Sequence, residues 1–315
     1  MPNIRNNTVD EVLAEKTILA ALRAWQSNLS WKAARELLGA RRVAVNGATC
    51  LDEAWRLKTG DVVEVSDKPR PKSPRHQDLC ILFLDEHLAV VEKPAGMLTE
   101  RPLAETGSTK RGVPRIPSLD ELLPRVIDEY SGERLRPEFR SVFIVHRLDR
   151  DASGLLVVAR TPEALDQLSR QFAARTPSRI YWAVVSGRVE PQTIRTHLIR
   201  DRGDGKRGSI EHQPESSSAD SQDVQLAITH VKPLASRRGK SLLECRLETG
   251  RTNQIRIHLA ELGHPILGDV KYGPLVVGQP SLRLALHAVE LEFAHPLTGE
   301  PMRFKSECPK EIPLP

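Results

Sequence analysis

The segment His146-Arg147-Leu148-Asp149-Arg150-Asp151-Ala152-Ser153 crowds two carboxylates, two guanidinium groups and an imidazole onto one short stretch. Groups of these types can supply a nucleophile, an acid–base pair or an anion-binding loop. Apolar runs at residues 141–145 and 154–159 flank the segment and read as two buried strands with the charged loop at their mouth. Charge beside a buried sheet edge is costly unless it is paired or used, so the loop is read as a site.

A second segment, Glu248-Thr249-Gly250-Arg251-Thr252-Asn253-Gln254-Ile255-Arg256-Ile257-His258, is polar between apolar neighbours. It predicts a strand that turns at Gly250 into a helix over residues 252–262, capped by Thr252 and stopped by Gly263. A helix N-terminus of this kind favours a phosphate or carboxylate nearby. Asn253 and Arg256, three apart, can face one target, and Arg256 is a natural partner for Asp149. A structural salt bridge fits the same two residues. Tyr181, on a strand predicted over 179–186, is equally open to a place in the site or in the core.

Other chemistries fail on their motifs. Gly239-Lys240-Ser241 ends like a P-loop, but Leu234 stands where the first glycine is needed. The His-Arg-Leu-Asp run has none of the glycine-rich, lysine or Asp-Phe-Gly companions of a kinase. Cys50, Cys80, Cys245 and Cys308 are far apart, which argues against a metal site or a disulfide framework and for free thiols.

The elements that must position these residues fall into two parts. Residues 1–66 predict helices from Ile18 and from a Ser30 cap, a strand over 41–46, an Asn46-Gly47 hairpin turn and a closing strand over 61–65. Lys32, Arg35, Arg41 and Arg42 lie on the second helix and its exit; charge alone also fits a solvated helix face. Residues 67–78 are basic and proline-rich and are read as a linker. Residues 79–315 form a larger domain. It has a turn at Lys93-Pro94-Ala95-Gly96, a polar loop over 101–117 and a helix over 119–130. A helix capped by Thr161 with Pro162 in its first turn follows, then a polar excursion over 201–223, strands over 225–231 and 241–248, and a last strand over 282–293. Strands outnumber helices and no βαβ repeat is present, so the expected class is α+β with a mixed, mainly antiparallel sheet.

The 315 residues are 39% hydrophobic and 28% charged, the composition of an ordinary globular protein, and the net charge of +5 permits a polyanionic partner. The start is polar and no run of eighteen apolar residues occurs, so no membrane span and a cytoplasmic location are expected.

These segments, taken in order, resemble the RluA-like family of pseudouridine synthases across most of residues 80–300. The family's H-R-L-D-x-x-T-S-G-L-L-V pattern is similar to residues 146–157, and its R-T-x-Q-I-R-x-H pattern to residues 251–258. The K-P-x-G turn at 93–96, the basic-x-Tyr strand at 179–181 and the Gly-His-Pro-Ile-x-Gly-Asp segment at 263–269 match as well. Residues 1–66 resemble the S4 family of RNA-binding domains, in which the second helix and following basic residues track phosphates.

The resemblance implies an enzyme that isomerises uridine in structured RNA without metal or other cofactor. It makes Asp149 the nucleophile, Tyr181 the residue that stacks on the base and Arg256 the residue that holds the aspartate. Arg147 would fill the space left by the flipped base, and Lys32, Arg35, Arg41 and Arg42 would contact phosphates. Large-subunit ribosomal RNA is the expected substrate and a monomer the expected state; transfer RNA, or a catalytically silent RNA-binding protein of the same fold, are the alternatives. A guanidinium beside Asp149 is expected to lower its pKa. Asp151 is expected to shape the loop. Three positions depart from the family: Ala152 replaces Thr, Asn253 replaces His and Glu92 replaces Asn.

Overall fold

Two sheets organise the chain in the computed structural model, which describes residues 5–67, 69–70, 72–101, 116–132, 141–201, 206–210, 224–273 and 283–315. Its described residues divide into two compact units, one formed by residues through 73 with 116–117, and one by 74–101, 118–273 and 283–315.

The first unit contains β1 (Arg5–Thr8), α1 (Ile18–Trp25), α2 (Trp31–Gly39), β2 (Val43–Val45), β3 (Ala48–Thr49) and β4 (Val62–Val65). Its strands run antiparallel in the order β1-β4-β2-β3. Thr17 caps α1 by accepting the Ala20 N–H at 3.3 Å, and Ser30 caps α2 through the Ala33 N–H at 3.1 Å. Ile18, Leu22 and Leu38 bury against Val43, Val45 and Val63. Asn46 and Gly47 take φ of 51° and 80°, as the tight β2–β3 hairpin requires. The strand expected from residue 41 starts at Val43, because Arg41 sits at φ 55° in the left-handed region. β1 has no clear alternation in sequence and is an addition made by the structure.

Pairing continues past β4. The Ser66 N–H donates to the Arg42 carbonyl at 2.7 Å and the Arg70 N–H to the Arg41 carbonyl at 2.8 Å. The first residues of the segment read as a linker are therefore tied to this unit. Further on, His76–Asp78 forms one 3-10 turn.

The second unit contains β5 (Cys80–Leu84), β6 (Leu88–Lys93), α3 (Leu119–Ser131), β7 (Phe143–Ile144), β8 (Ser153–Ala159), α4 (Pro162–Ala173), β9 (Ser178–Ser186), β10 (Gln192–Ile199), β11 (Gly208–Ile210), β12 (Val224–Arg237), β13 (Lys240–Leu247), α5 (Gln254–Glu261), β14 (Leu286–Ala294) and β15 (Pro301–Lys305). Nine strands follow the order β11-β10-β12-β13-β9-β14-β8-β6-β5, with β15 beside β14 and β7 beside β8. Only the β14–β8 contact is parallel among the described pairs, so the class is α+β with a mixed, mainly antiparallel sheet.

β8 shows why the chain folds as it does after the charged loop. All seven of its residues are buried, as a continuous Gly-Leu-Leu-Val-Val-Ala run between two strands demands. Gly154 has φ 117°, and a Cβ there would lie 2.3 Å from the Ala288 carbonyl oxygen. Only glycine permits β14 to approach so closely. The strand expected over 141–145 shortens to β7, and the last strand begins at Leu286. β10 and β15 have no counterpart in the sequence reading; both carry exposed polar residues at several positions. Most of the loops expected over 101–117 and 201–223 lie outside the described residues, although β11 falls within the second.

Candidate active site

Three chain segments, with Leu286 of β14, build one cleft. Asp149 comes from the loop before β8, Tyr181 from β9, Arg251 and Asn253 from the turn before α5, and Arg147 and Arg179 stand at its wall. Each part is held by a distinct device.

Lys93, at the end of β6, anchors the Asp149 loop. It is 0% exposed, and its Nζ donates to the carbonyls of Pro94 (3.0 Å), Met97 (2.9 Å), Arg150 (3.2 Å) and Ala152 (2.7 Å). An ammonium has three protons, so these four acceptors share it fully. Burial pushes Lys93 down to about 7, while the charges of Asp151 and Asp149 oppose that. Thr99 adds a second clamp: its hydroxyl donates to the Leu148 carbonyl at 2.8 Å and accepts the Leu148 N–H at 3.1 Å.

His146 plays no acid–base part in this arrangement. Its Nε2 accepts the Val157 N–H at 3.2 Å, its ring stacks on Phe172 at 4.5 Å, and burial pushes its pKa down to about 3. Asp151 is bound by Arg150 at 2.8 and 3.1 Å. Burial alone would raise Asp151, but the Arg150 hydrogen bonds and charge outweigh it and hold the carboxyl below its usual range.

Asp149 behaves differently. Burial dominates and raises its carboxyl above the usual range, against the Arg256 charge, an Asn253 backbone N–H and Lys93. The neighbouring guanidinium does lower it, as expected, but burial outweighs that effect, and the geometry of Arg256 keeps its contact with Asp149 long. Arg256 gives Nε and Nη2 to the two oxygens of Asp269, at 2.7 and 2.8 Å, and Nη1 to the Asn253 amide oxygen at 2.9 Å. Only a 3.5 Å Nη1 contact is left for Asp149. Asp269 is itself fixed by the Lys271 and Tyr272 N–H groups at 2.9 and 3.0 Å.

α5 presents Arg256 because its other polar residues are struts. Gln254 donates to the Ile228 carbonyl (3.0 Å) and the Thr229 hydroxyl (2.9 Å), and accepts from Thr249 (2.7 Å). His258 bridges Thr229 at 2.9 Å and Thr196 at 3.0 Å, and burial pushes it down to about 4. The helix starts at Gln254 with Asn253, not Thr252, at its N-cap position in a left-handed conformation, φ 59°.

Tyr181 is 6% exposed, and burial raises its pKa, so the ring enters the cleft as a neutral phenol. Arg179 lies over the Phe172 ring at 5.5 Å and needs the bare Gly250, whose Cβ would fall 2.6 Å from its Nη1. Arg147 is exposed at the cleft. A larger cavity lined by Phe83, His87, His295 and Phe304 holds none of the residues read from the sequence as chemical. Among the described residues, no cluster of three or more His, Cys, Asp or Glu is placed to hold a metal ion, and no helix is long and apolar enough to cross a membrane. Asn253 joins Arg256 at one target, as their spacing suggested; the roles of Lys93 and Asp269 were not read from the sequence, although each stands in a family-like segment, the Lys93–Gly96 turn and the Gly263–Asp269 run.

Comparison with known proteins decides the family. A model of RNA pseudouridylate synthases matches residues 87–261. The chain belongs to this family. The matched stretch carries Asp149, Tyr181 and Arg256 of the synthase but stops short of Asp269. Among curated relatives, the ribosomal large subunit pseudouridine synthase D of Zymomonas mobilis is 36% identical over 85% of this chain and 82% of its own length. The protein of the same description from Nitrosomonas europaea is 35% identical over 84% of this chain and 72% of its own. The solved structure of human RNA pseudouridylate synthase domain containing 4 superposes with a TM-score of 0.57 at 22% identity, covering 73% of this chain and 89% of that one. That likeness supports the synthase fold.

In the first unit, Arg35 pairs with Glu53 at 2.9 Å, and Arg42 donates to the Ser66 carbonyl at 2.7 Å and reaches Asp67 at 3.5 Å. Lys32 is exposed and makes no ion pair among the described residues.

Proposed function

We propose that this synthase converts uridine to pseudouridine in large-subunit ribosomal RNA, with Asp149 as nucleophile. The observation that carries the reading is a half-buried, lightly paired carboxylate sharing a cleft with a neutral tyrosine. The named relatives supply the substrate class.

The target uridine leaves its stack to enter the cleft, at a cost of a few kcal/mol. Stacking on Tyr181 returns roughly 1–3 kcal/mol of that. Asp149, ionised, attacks the sugar side of the uridine and the N1–C1′ bond breaks. The detached uracil turns, C5 bonds to C1′, and the bond between C1′ and the Asp149 oxygen breaks, which restores the carboxylate. The C5 proton then leaves and N1 gains one. Arg256 positions the carboxylate, and Arg147 fills the gap in the RNA stack. The first unit serves as an S4-like RNA-binding domain over residues 1–66, with Lys32, Arg35, Arg41 and Arg42 at the phosphates, and the enzyme works as a monomer in the cytoplasm.

Mapping pseudouridine in ribosomal RNA from cells with and without the gene tests this. Loss of one or more large-subunit sites, restored by the wild-type chain, is the expected result. An unchanged ribosomal RNA map would contradict the substrate assignment.

A further inference from the structure

Asn253 stands where this chain departs from the family's histidine, and it touches three parts of the site. Its Oδ1 accepts Arg256 Nη1 at 2.9 Å, its Nδ2 donates to the Tyr272 hydroxyl at 3.3 Å, and its backbone N–H faces the Asp149 carboxylate. The residue is 9% exposed, and its side chain caps no helix N–H. Asparagine tolerates the left-handed backbone that aims this N–H at Asp149.

One guanidinium nitrogen serves two acceptors. Asp269 takes the Nε and Nη2 edge, and Nη1, which has two N–H groups, is seated by its 2.9 Å bond to Asn253 and stays 3.5 Å from Asp149. A contact at 3.5 Å is at the weak end of hydrogen bonding, whereas one at 2.9 Å is at the optimum.

We propose that Asn253 is a positioning residue that withholds Arg256 from Asp149 and gives the carboxylate a neutral backbone donor in its place. The inference rests on Asp149 being the nucleophile. A carboxylate bound bidentately by guanidinium is stable but a poor nucleophile, since its lone pairs are engaged. One that faces a single backbone N–H and has only a long Nη1 contact keeps a lone pair for attack. The other groups that face Asp149 are Lys93 from β6, Tyr181 from β9, and Lys271 and Tyr272 from the turn after Asp269. Lys93 is fully occupied by carbonyls and Lys271 acts on Asp149 through charge alone, so Arg256 is the cation whose hydrogen bond to Asp149 can change.

Two variants separate the side chain from the backbone. Asn253→Gly keeps the positive φ and the N–H but removes the amide, freeing Nη1 to close on Asp149. The acid limb of kcat against pH then moves to lower pH and the plateau kcat falls, with KM for RNA unchanged. Asn253→Asp keeps the acceptor and adds a negative charge beside Asp149, which moves the acid limb to higher pH. Each pH unit of movement reads as about a tenfold change in kcat below the limb.

Acid limbs at the wild-type position in both variants, with thermal melting showing both folded, would overturn the inference and leave Asn253 a turn residue. Asp149→Asn is assayed alongside. Activity retained there overturns the nucleophile itself, a result distinct from unmoved limbs.

Discussion

Arg256 reaches Asp149 with one guanidinium nitrogen at 3.5 Å, while its bidentate edge is spent elsewhere. The sequence pairs these residues, and the structure makes their contact the weakest that Arg256 forms. A carboxylate left this lightly compensated in a cleft is poised for chemistry at the expense of the fold.

One consequence concerns stability. Asp149 has a raised pKa in the fold, so between the ordinary carboxylate range and that raised value the native state holds a proton the unfolded chain has lost. Stability from this group is present at low pH and is lost as pH rises through the folded pKa. Asp149→Asn therefore raises the melting temperature at neutral pH, and the gain shrinks as pH falls through the folded pKa. Calorimetry at several pH values checks this; a lower melting temperature at pH 7 would contradict it.

Asp269 is the structural partner, with its side chain 1% exposed against 7% for Arg256. Asp269→Asn leaves a buried guanidinium half-paired and costs about 3–5 kcal/mol of stability. Its kcat also falls, because Arg256 turns toward Asp149. Denaturant unfolding measures the first effect and steady-state kinetics the second; a variant as stable as wild type would refute the pairing argument.

Lys93 holds its loop best as the ammonium, since a neutral amine has two N–H groups and turns a lone pair toward one of the four carbonyls. Burial pushes it down to about 7, so kcat declines as pH rises through about 7 or above. Lys93→Met removes that alkaline limb and lowers kcat at least about tenfold by loosening the Asp149 loop, with KM for RNA little altered. An alkaline limb that persists in the variant would assign it to another group.

The first unit offers a contrast among its basic residues. Lys32 is unpaired among the described residues, whereas Arg35 is held by Glu53. Lys32→Ala removes one phosphate neutralisation and so reduces the slope of log affinity against log salt by about 0.7–0.9. Arg35→Ala changes it less. Equal slopes for wild type and Lys32→Ala would remove Lys32 from the RNA interface.

Much of this was legible because local chemistry and tertiary demand agree. The buried run of β8, the Ser30 and Thr161 caps and the Asn46-Gly47 turn follow from residue type alone. α5 shows where that stops. Ile255, Leu259 and Leu262 predict a one-sided helix, yet Gln254, Arg256 and His258 are buried as well, because the supposed outer face carries the site and its struts. Lys93 was hidden for a similar reason: a lysine is read as exposed unless the carbonyls that surround it can be seen. The pairing of Arg256 with Asp269 joins residues 13 apart across a turn, and no spacing rule ranks it above Asp149.

The central claim is that Asp149 performs the attack. RNA substrate carrying tritium at uridine C5 releases it when that carbon joins the ribose, so release counts turnover directly. Purified Asp149→Asn, incubated with substrate it still binds, is predicted to release no tritium above background while the wild-type chain releases it stoichiometrically with target sites. Release by the variant at the wild-type rate would contradict the account.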